Sequence, residues 1–165
     1  MNVFGIAGYK NSGKTTLIVE LIAELTARGL RVATIKHAHH EFDIDHPGKD
    51  SYRHREAGAT EVMVASRRRW AQVRELQGTV EPTLDELLNR LGPADIVLVE
   101  GYKYGDHPKL EIRRSALDHP PLAEESGNVC AVVSDAPIEG LSVPLLARDD
   151  VAAIADFILR EPGSE

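Results

Sequence analysis

A glycine-rich segment near the start of the chain limits the folds that are open to it. Residues 8–15 read GYKNSGKT and match the pattern G-x-x-x-x-G-K-[ST] in full. The apolar run 2–8 predicts a buried strand, and residues 14–28 carry apolar side chains at helical spacing. A strand, this loop and an amphipathic helix in that order indicate a phosphate-binding loop (P-loop) in an α/β protein.

The residue types of this loop suit the chemistry of phosphates. Gly8 and Gly13 permit backbone conformations that a side chain would obstruct, so that amide groups can face an anion at the helix N-terminus. Lys14 is predicted to reach the β- and γ-phosphates, Thr15 to ligate Mg²⁺, and Thr16 to reach the α-phosphate. The predicted nucleotide contacts of the loop are Gly8, Asn11, Ser12, Gly13, Lys14, Thr15 and Thr16.

A P-loop needs an acidic partner from another strand, and Glu100 is the best candidate. It ends the strongly apolar run 96–99, which predicts a central strand. A carboxylate there would hold Mg²⁺, directly or through water, or orient an attacking water. Lys14 and Glu100 are therefore the predicted catalytic residues, and Thr15 and Glu100 the first predicted metal ligands.

Two further polar residues follow predicted strands. Ligands of open α/β sheets bind outside the carboxyl ends of the strands. Lys103, just after Glu100, is therefore a predicted anion contact. Asp135 follows the strand 129–134, and its carboxylate would accept hydrogen bonds from guanine N1 and N2, which adenine cannot offer. The alternative for Asp135 is a turn residue before Pro137.

Strand and helix patterns alternate along the chain. They predict an α/β fold with a largely parallel sheet flanked by helices. Residues 61–65 and 70–76 both read as short strands around a turn at 66–69, which predicts an added β-hairpin near 61–76. A length of 165 residues with no recognisable linker predicts a single domain over 1–165.

Composition argues against several classes of protein. A net charge of −7 and a pI of about 5.5 make the chain a poor general binder of nucleic acid. No apolar run approaches the ~18 residues of a membrane span, and the N-terminus shows no signal-peptide pattern. The single cysteine, Cys130, lies in an apolar run and is interpreted as a buried thiol. A cytoplasmic protein that binds neither nucleic acid nor membranes is expected.

The segments beyond the P-loop resemble one particular family. The sequence resembles the MobB family, the molybdopterin-guanine dinucleotide biosynthesis adaptor proteins, in residues 8–16, 35–40, 42–45, 47–51, 55–59 and 99–103. The resemblance implies a GTP- and Mg²⁺-binding P-loop NTPase related to the SIMIBI class, with weak GTPase activity. It also implies a homodimer that works with the guanylyltransferase MobA, which joins GMP to molybdopterin. Tyr9 stands where that class has a second lysine, so Lys10 is not assigned that role.

The segment 37–49 is long, polar and rich in histidine, and it admits three interpretations. It is a solvated loop, a structural zinc site, or a switch that closes over nucleotide or pterin phosphates. In the last case Asp45 and Asp50 would assist Mg²⁺ and Lys49 would neutralise a phosphate. Asp50 is equally well explained as the cap of the next helix.

Two rival functions remain open at this point. A P-loop kinase of a small metabolite would use the basic run 67–69 as a lid, although that run also fits a solvated turn or a dock for an acidic partner. A metallochaperone would bind its metal through the histidine segment. The strands near 61–76 offer edges that a second copy of the chain could cover, which independently favours a homodimer.

Overall fold

The sheet that organises this chain contains parallel strands, as the alternating pattern predicts. The computed structural model describes residues 2–38 and 42–161. Its strands are β1 Asn2–Ala7, β2 Val32–Lys36, β3 Glu61–Ala65, β4 Trp70–Arg74, β5 Ile96–Glu100, β6 Lys109–Arg113, β7 Val129–Ser134 and β8 Leu145–Ala147. Its helices are α1 Lys14–Ala27, α2 Asp50–Glu56, α3 Leu84–Leu88, α4 Leu122–Glu125 and α5 Val151–Arg160. The main sheet has the order β2-β5-β1-β6-β7-β8, and its pairs are parallel.

The chain divides into two compact units. The first, Met1–His37 with Leu88–Glu165, contains the parallel sheet, and the second, Ala38–Leu87, contains α2 and the hairpin of β3 and β4. The predicted α/β fold and the predicted hairpin are both confirmed. A hydrogen bond from Ser66 N to Arg69 O, 2.8 Å long, closes the hairpin turn. The single domain over 1–165 stays a prediction.

The main core of the first unit lies between one sheet face and two helices. Apolar side chains at alternate positions of the central strands point to that face, and α1 and α5 cover it with their apolar stripes. The buried cluster includes Phe4, Ile6, Leu98, Leu110, Ile112 and Val133 from the strands, and Leu17, Leu21, Leu25, Ile154 and Ile158 from the helices. This packing holds the carboxyl ends of β1, β5 and β6 together at one edge of the sheet.

The opposite face of β1 and β6 carries a buried histidine and a buried lysine. Lys109 Nζ donates a hydrogen bond of 2.6 Å to Gly105 O. The His107 ring lies between Gly5 and Gly105, where an added Cβ would lie 2.6 Å and 2.8 Å from ring atoms. Burial lowers the pKa of His107 to about 4, so the ring is neutral at pH 7. Two glycines therefore make the room for one neutral imidazole.

An ion pair joins β2 to β5 at the amino ends of these strands. Asp95 accepts hydrogen bonds from Arg31 N at 2.7 Å, Nε at 3.1 Å and Nη2 at 2.8 Å. These bonds lower the pKa of Asp95 to about 2, so it is ionised at pH 7. Asp95 thus links two strands at the edge away from the P-loop.

Gly5→Ala is expected to destabilise the fold by about 1–3 kcal/mol, the usual cost of overpacking a core. The added Cβ would lie 2.6 Å from His107 Nε2 and 2.8 Å from Lys109 Cβ, and the latter cannot swing away. Urea unfolding measures the change. Gly92→Ala is the matched control, because nothing lies within 4 Å of its added Cβ. Equal unfolding midpoints for the two variants would contradict the packing described for Gly5.

Candidate functional site

The predicted P-loop joins the end of β1 to the start of α1. Gly8 has φ 151°, and an added Cβ would lie 2.7 Å from both Ile112 O and Ser12 Oγ. Gly13 is the N-cap of α1, with φ 97° in the left-handed region. Both positions therefore require glycine. The N-terminus of a 14-residue helix then faces the loop and offers its amide groups to an anion.

Lys14, the first residue of α1, turns its ammonium back towards the loop. Its Nζ donates hydrogen bonds to Gly8 O at 2.9 Å and to Tyr9 O at 2.7 Å. Burial lowers the pKa of Lys14, the neighbouring Lys103 and Lys36 lower it further, and Glu100 opposes them. These carbonyl partners are neutral. They hold the ammonium in place and do not neutralise its positive charge.

The predicted pair of Thr15 and Glu100 is in direct contact. Thr15 Oγ1 donates a hydrogen bond of 3.0 Å to Glu100 Oε1, and Lys36 Nζ lies 3.2 Å from the same oxygen. The Glu100 side chain is only 13% exposed. Glu100 pairs with Lys36 across neighbouring parallel strands, which explains why their side chains meet. A hydroxyl and a carboxylate at this distance form a suitable pair of oxygen ligands for Mg²⁺.

Two neighbouring cavities surround the P-loop. The first, the phosphate cavity, has a volume of about 570 Å³ and is lined by Lys10, Asn11, Gly13, Lys14, Thr15, Thr16, Glu100 and Arg114. The second has a volume of about 480 Å³ and is lined by Ser12, Gly13, Thr16, Glu20, Arg114, Asp135, Arg148, Asp149 and Val151. Gly13, Thr16 and Arg114 line both cavities, and the volume of each lies in the range of about 300–1,000 Å³ that is typical of ligand sites.

Asp135 lies in the wall of the second cavity, where a residue that reads a base could act. Its Oδ1 accepts a hydrogen bond of 2.8 Å from Ser115 N. This bond is the main cause of the lowered pKa of Asp135. Asp135 therefore anchors the segment after β6 as well as facing the cavity.

Lys36 and Arg114 are site residues that motif analysis missed. Lys36 ends β2, and Arg114 follows β6 directly and lines both cavities. The signal that could have found them is their place at the carboxyl ends of parallel strands, where ligands of such sheets bind. Neither residue belongs to the P-loop pattern.

The second unit contains the other two predicted site residues, Asp45 and Lys49. Asp45 accepts hydrogen bonds from Ser51 Oγ at 2.9 Å, His46 N at 2.9 Å and Arg55 Nε at 3.3 Å. Asp45 therefore stabilises its own unit, and its part in binding Mg²⁺ stays a prediction. Lys49 is the N-cap of α2, and its contact with phosphate also stays a prediction.

The expectation that Asp50 caps α2 is wrong. Asp50 is the first residue of α2, and the cap position belongs to Lys49, whose side chain makes no capping hydrogen bond. A carboxylate in the first turn is still favourable, because it faces the positive end of the helix dipole.

The histidine segment is only partly described. His39 and His40 lie outside the described residues, while the His37 ring lies 4.8 Å from the ring of Tyr102. Within residues 2–38 and 42–161, no group of three or more His, Cys, Asp or Glu side chains could hold a metal ion. The zinc interpretation and the switch interpretation of 37–49 stay predictions.

Comparison with known proteins gives consistent matches. A family model for MobB, described as molybdopterin guanine dinucleotide synthesis protein B, matches residues 3–135. The chain is 42% identical over 162 residues to the molybdopterin-guanine dinucleotide biosynthesis adapter protein of Escherichia coli (strain K12), covering 95% of this chain and 91% of that protein. It is 42% identical over 158 residues to the Haemophilus influenzae protein of the same name, covering 94% and 86%. The crystal structure of Bacillus subtilis MobB matches all of both chains with a TM-score of 0.77 and 25% identity.

Lys14→Ala is expected to weaken the binding of a nucleoside triphosphate by about 1.5–3 kcal/mol, the usual worth of a charge-assisted hydrogen bond. The fold should persist, because the ammonium contacts loop carbonyls and adds little to the core. Calorimetric titration with a non-hydrolysable GTP analogue and Mg²⁺ measures the loss. Arg90→Ala, which removes an exposed cation outside both cavities, is the control. Equal affinity in Lys14→Ala and wild type would remove the P-loop assignment.

Proposed function

The chain belongs to the MobB family, and from that premise we propose that it is a GTP-binding adaptor that hydrolyses GTP slowly and assists the attachment of GMP to molybdopterin. Its relatives are named adapter proteins of molybdopterin-guanine dinucleotide biosynthesis. The observation that carries the proposal is the Thr15–Glu100 hydrogen bond beside the Lys14 ammonium. It pairs a metal-binding hydroxyl and carboxylate with a phosphate-binding cation in the wall of one cavity.

The residues of the P-loop suit a bound polyphosphate. Ser12 Oγ is buried and has no hydrogen-bond partner in the described structure, although a phosphate oxygen would supply one. The close approach around Gly8 shapes the loop, and the Lys14 ammonium is already turned towards it. The phosphates would lie in the phosphate cavity, in contact with Asn11, Gly13, Thr15 and Thr16.

Guanine is assigned to the second cavity. Asp135 lies in its wall, and a carboxylate with further lone pairs can accept from guanine N1 and N2 while it also accepts from Ser115 N. Thr16 and Gly13 line both cavities, so the sugar would lie beside these two residues and link the base in one cavity to the phosphates in the other. Lys103, on the loop after β5, would contact the phosphates.

Mg²⁺ is assigned to Thr15 and Glu100, and a part for Asp45 in binding the ion stays a prediction from the sequence. The 3.0 Å contact between the Thr15 hydroxyl and Glu100 supports this donor set. Bound there, the ion would neutralise charge that develops on the β- and γ-phosphates. Lys36 Nζ, 3.2 Å from Glu100 Oε1, would keep that carboxylate oriented.

Hydrolysis forms a bond from a water oxygen to the γ-phosphorus and breaks the bond to the β–γ bridging oxygen, which releases GDP and phosphate. Lys14 would exchange its carbonyl partners for phosphate oxygens, and its ammonium would offset the negative charge of those oxygens. Glu100 would orient the water. Glu100 Oε1 already accepts a hydrogen bond from Thr15 and lies 3.2 Å from Lys36 Nζ, and these contacts fix its position beside the phosphate cavity.

We further propose that the protein works in the cytoplasm with the guanylyltransferase MobA and with molybdopterin. No helix of the described residues is long and apolar enough to cross a membrane. The basic run 67–69 lies at the tip of the hairpin and is exposed, which suits contact with an acidic surface of a partner.

A homodimer is proposed as the functional assembly. In the second unit, one face of the hairpin carries Met63 and Trp70, which are 66% and 64% exposed, whereas Val62 on the other face is buried. Adjacent exposed apolar side chains of this size usually mark an interface. The hairpin also has two strand edges that a partner could pair with.

Trp70→Ser is expected to shift the protein from a dimer towards a monomer, because it removes the largest apolar side chain of that face. Light scattering at micromolar concentration measures the mass, and wild type should give twice 18.1 kDa. Val80→Ser is the control, since Val80 is 91% exposed and lies outside the hairpin. A wild-type protein of only 18.1 kDa would refute the dimer.

Glu100→Gln is expected to lower Mg²⁺-dependent GTP turnover at least about tenfold and to change affinity for a GTP analogue less than about threefold. Glutamine keeps the size of the side chain but loses the charge that holds Mg²⁺ and orients water. Phosphate release and analogue titration provide the two readouts. Glu139→Gln, an exposed change outside both cavities, should behave as wild type. Equal turnover in the Glu100 and Glu139 variants would contradict a catalytic role for Glu100.

A further inference from the structure

The ring of Tyr9 holds a second ammonium group beside the P-loop. Lys103 Nζ lies over this ring, 4.2 Å from its centre. The His119 ring stacks on Tyr9 with centres 4.3 Å apart and planes inclined by 20°. The Tyr9 ring thus contacts both a cation and an imidazole. Residues distant in sequence therefore meet at the second position of the P-loop.

The loop that carries Lys103 is anchored to the sheet. Gly105 N donates a hydrogen bond of 3.0 Å to Tyr102 O, which closes a turn around Lys103. Gly105 O in turn accepts from Lys109 Nζ at 2.6 Å, and the buried His107 ring packs against Gly105. These contacts fix the backbone of the loop 102–105, and the Tyr9 ring constrains the flexible end of the Lys103 side chain.

Tyr9 gathers two cations by different means. Its carbonyl accepts a hydrogen bond of 2.7 Å from Lys14 Nζ, and its ring lies under Lys103 Nζ. The two ammonium groups repel each other, and the charge of Lys103 contributes to the lowered pKa of Lys14, after burial. A carboxylate partner would cancel the charge of Lys103. An aromatic face attracts the ammonium through its quadrupole and leaves the full positive charge available to an anion.

We propose that Tyr9 and His119 are positioning residues that hold Lys103 next to Lys14, so that two ammonium groups meet the terminal phosphate of a nucleoside triphosphate. This inference rests on the proposed nucleotide-binding function. Tyr9 places Lys103 before the ligand arrives, so less side-chain entropy is lost on binding. The second ammonium distinguishes a triphosphate, with its extra charge, from a diphosphate.

The test compares binding of a non-hydrolysable GTP analogue with binding of GDP, both with Mg²⁺, by calorimetry. Lys103→Met is expected to weaken binding of the analogue at least tenfold and binding of GDP less than twofold. Tyr9→Leu removes the ring but keeps the carbonyl that Lys14 uses, and should weaken the analogue threefold or more. Tyr9→Phe keeps the ring face and should bind the analogue more tightly than Tyr9→Leu does. Tyr104→Leu is the matched control, because Tyr104 is 76% exposed in the same loop.

A double variant separates positioning from damage to the P-loop. Tyr9→Leu should cost no further affinity in the Lys103→Met background, because the ring acts through that lysine. His119→Ala leaves the P-loop sequence intact and should weaken the analogue in the same selective way, which keeps the test decisive where Tyr9→Leu does not fold.

Three outcomes would overturn the inference. They are analogue binding unchanged in Lys103→Met, equal losses from Tyr9→Leu in both backgrounds, and equal losses of GDP and analogue. If Lys14→Ala still weakens binding in those cases, the proposed nucleotide-binding function stands and only the role of the aromatic stack fails. If wild type binds neither nucleotide, the proposed function fails and this inference fails with it.

Discussion

The register between three parallel strands is the constraint on which the site depends. Glu100 pairs with Ile6 of β1 on one side and with Lys36 of β2 on the other, so three strands end at the same level. The P-loop leaves β1 one residue after Ile6 and brings Thr15 to within 3.0 Å of Glu100. A slip of one residue in β5 would turn the Glu100 side chain to the other face of the sheet and break this contact.

Charge accumulates at this edge of the sheet. Lys36 lies 3.2 Å from Glu100, Lys14 and Arg114 line the same cavity as Glu100, and Lys103 lies close enough to Lys14 to lower its pKa, although the whole chain has a net charge of −7. Neutral carbonyls hold Lys14 and an aromatic ring holds Lys103, so neither cation is cancelled by its partner. A local excess of positive charge concentrates anions even on a protein of the opposite net charge. The arrangement therefore favours a ligand with several negative charges, such as a polyphosphate.

Buried polar groups on the opposite face of the sheet stabilise the loop at the carboxyl ends of these strands. Lys109 is fully buried, yet its ammonium is hydrogen bonded to Gly105 O, and His107 fits only because Gly5 and Gly105 lack side chains. These contacts fix the segment that returns from Glu100 to β6, which carries Lys103. Burying Lys109 and His107 thus fixes the geometry of the loop. Burial costs desolvation free energy, which a hydrogen bond within the described structure offsets for Lys109 but not for the His107 ring nitrogens.

Local sequence was enough to predict the P-loop, the strand that ends at Glu100 and the hairpin near 61–76. Each of these is a contiguous pattern, and a motif or a short-range periodicity specifies it without knowledge of the rest of the chain. The Asp50 cap was predicted wrongly, since a side chain at the start of a helix does not show which residue becomes the N-cap. Tertiary structure alone decided that Lys36 shares an oxygen with Thr15, that Arg114 lines both cavities, and that His119 stacks on Tyr9. Those contacts join segments up to 110 positions apart, and they depend on strand order and on the packing of loops across the sheet, which no local pattern encodes.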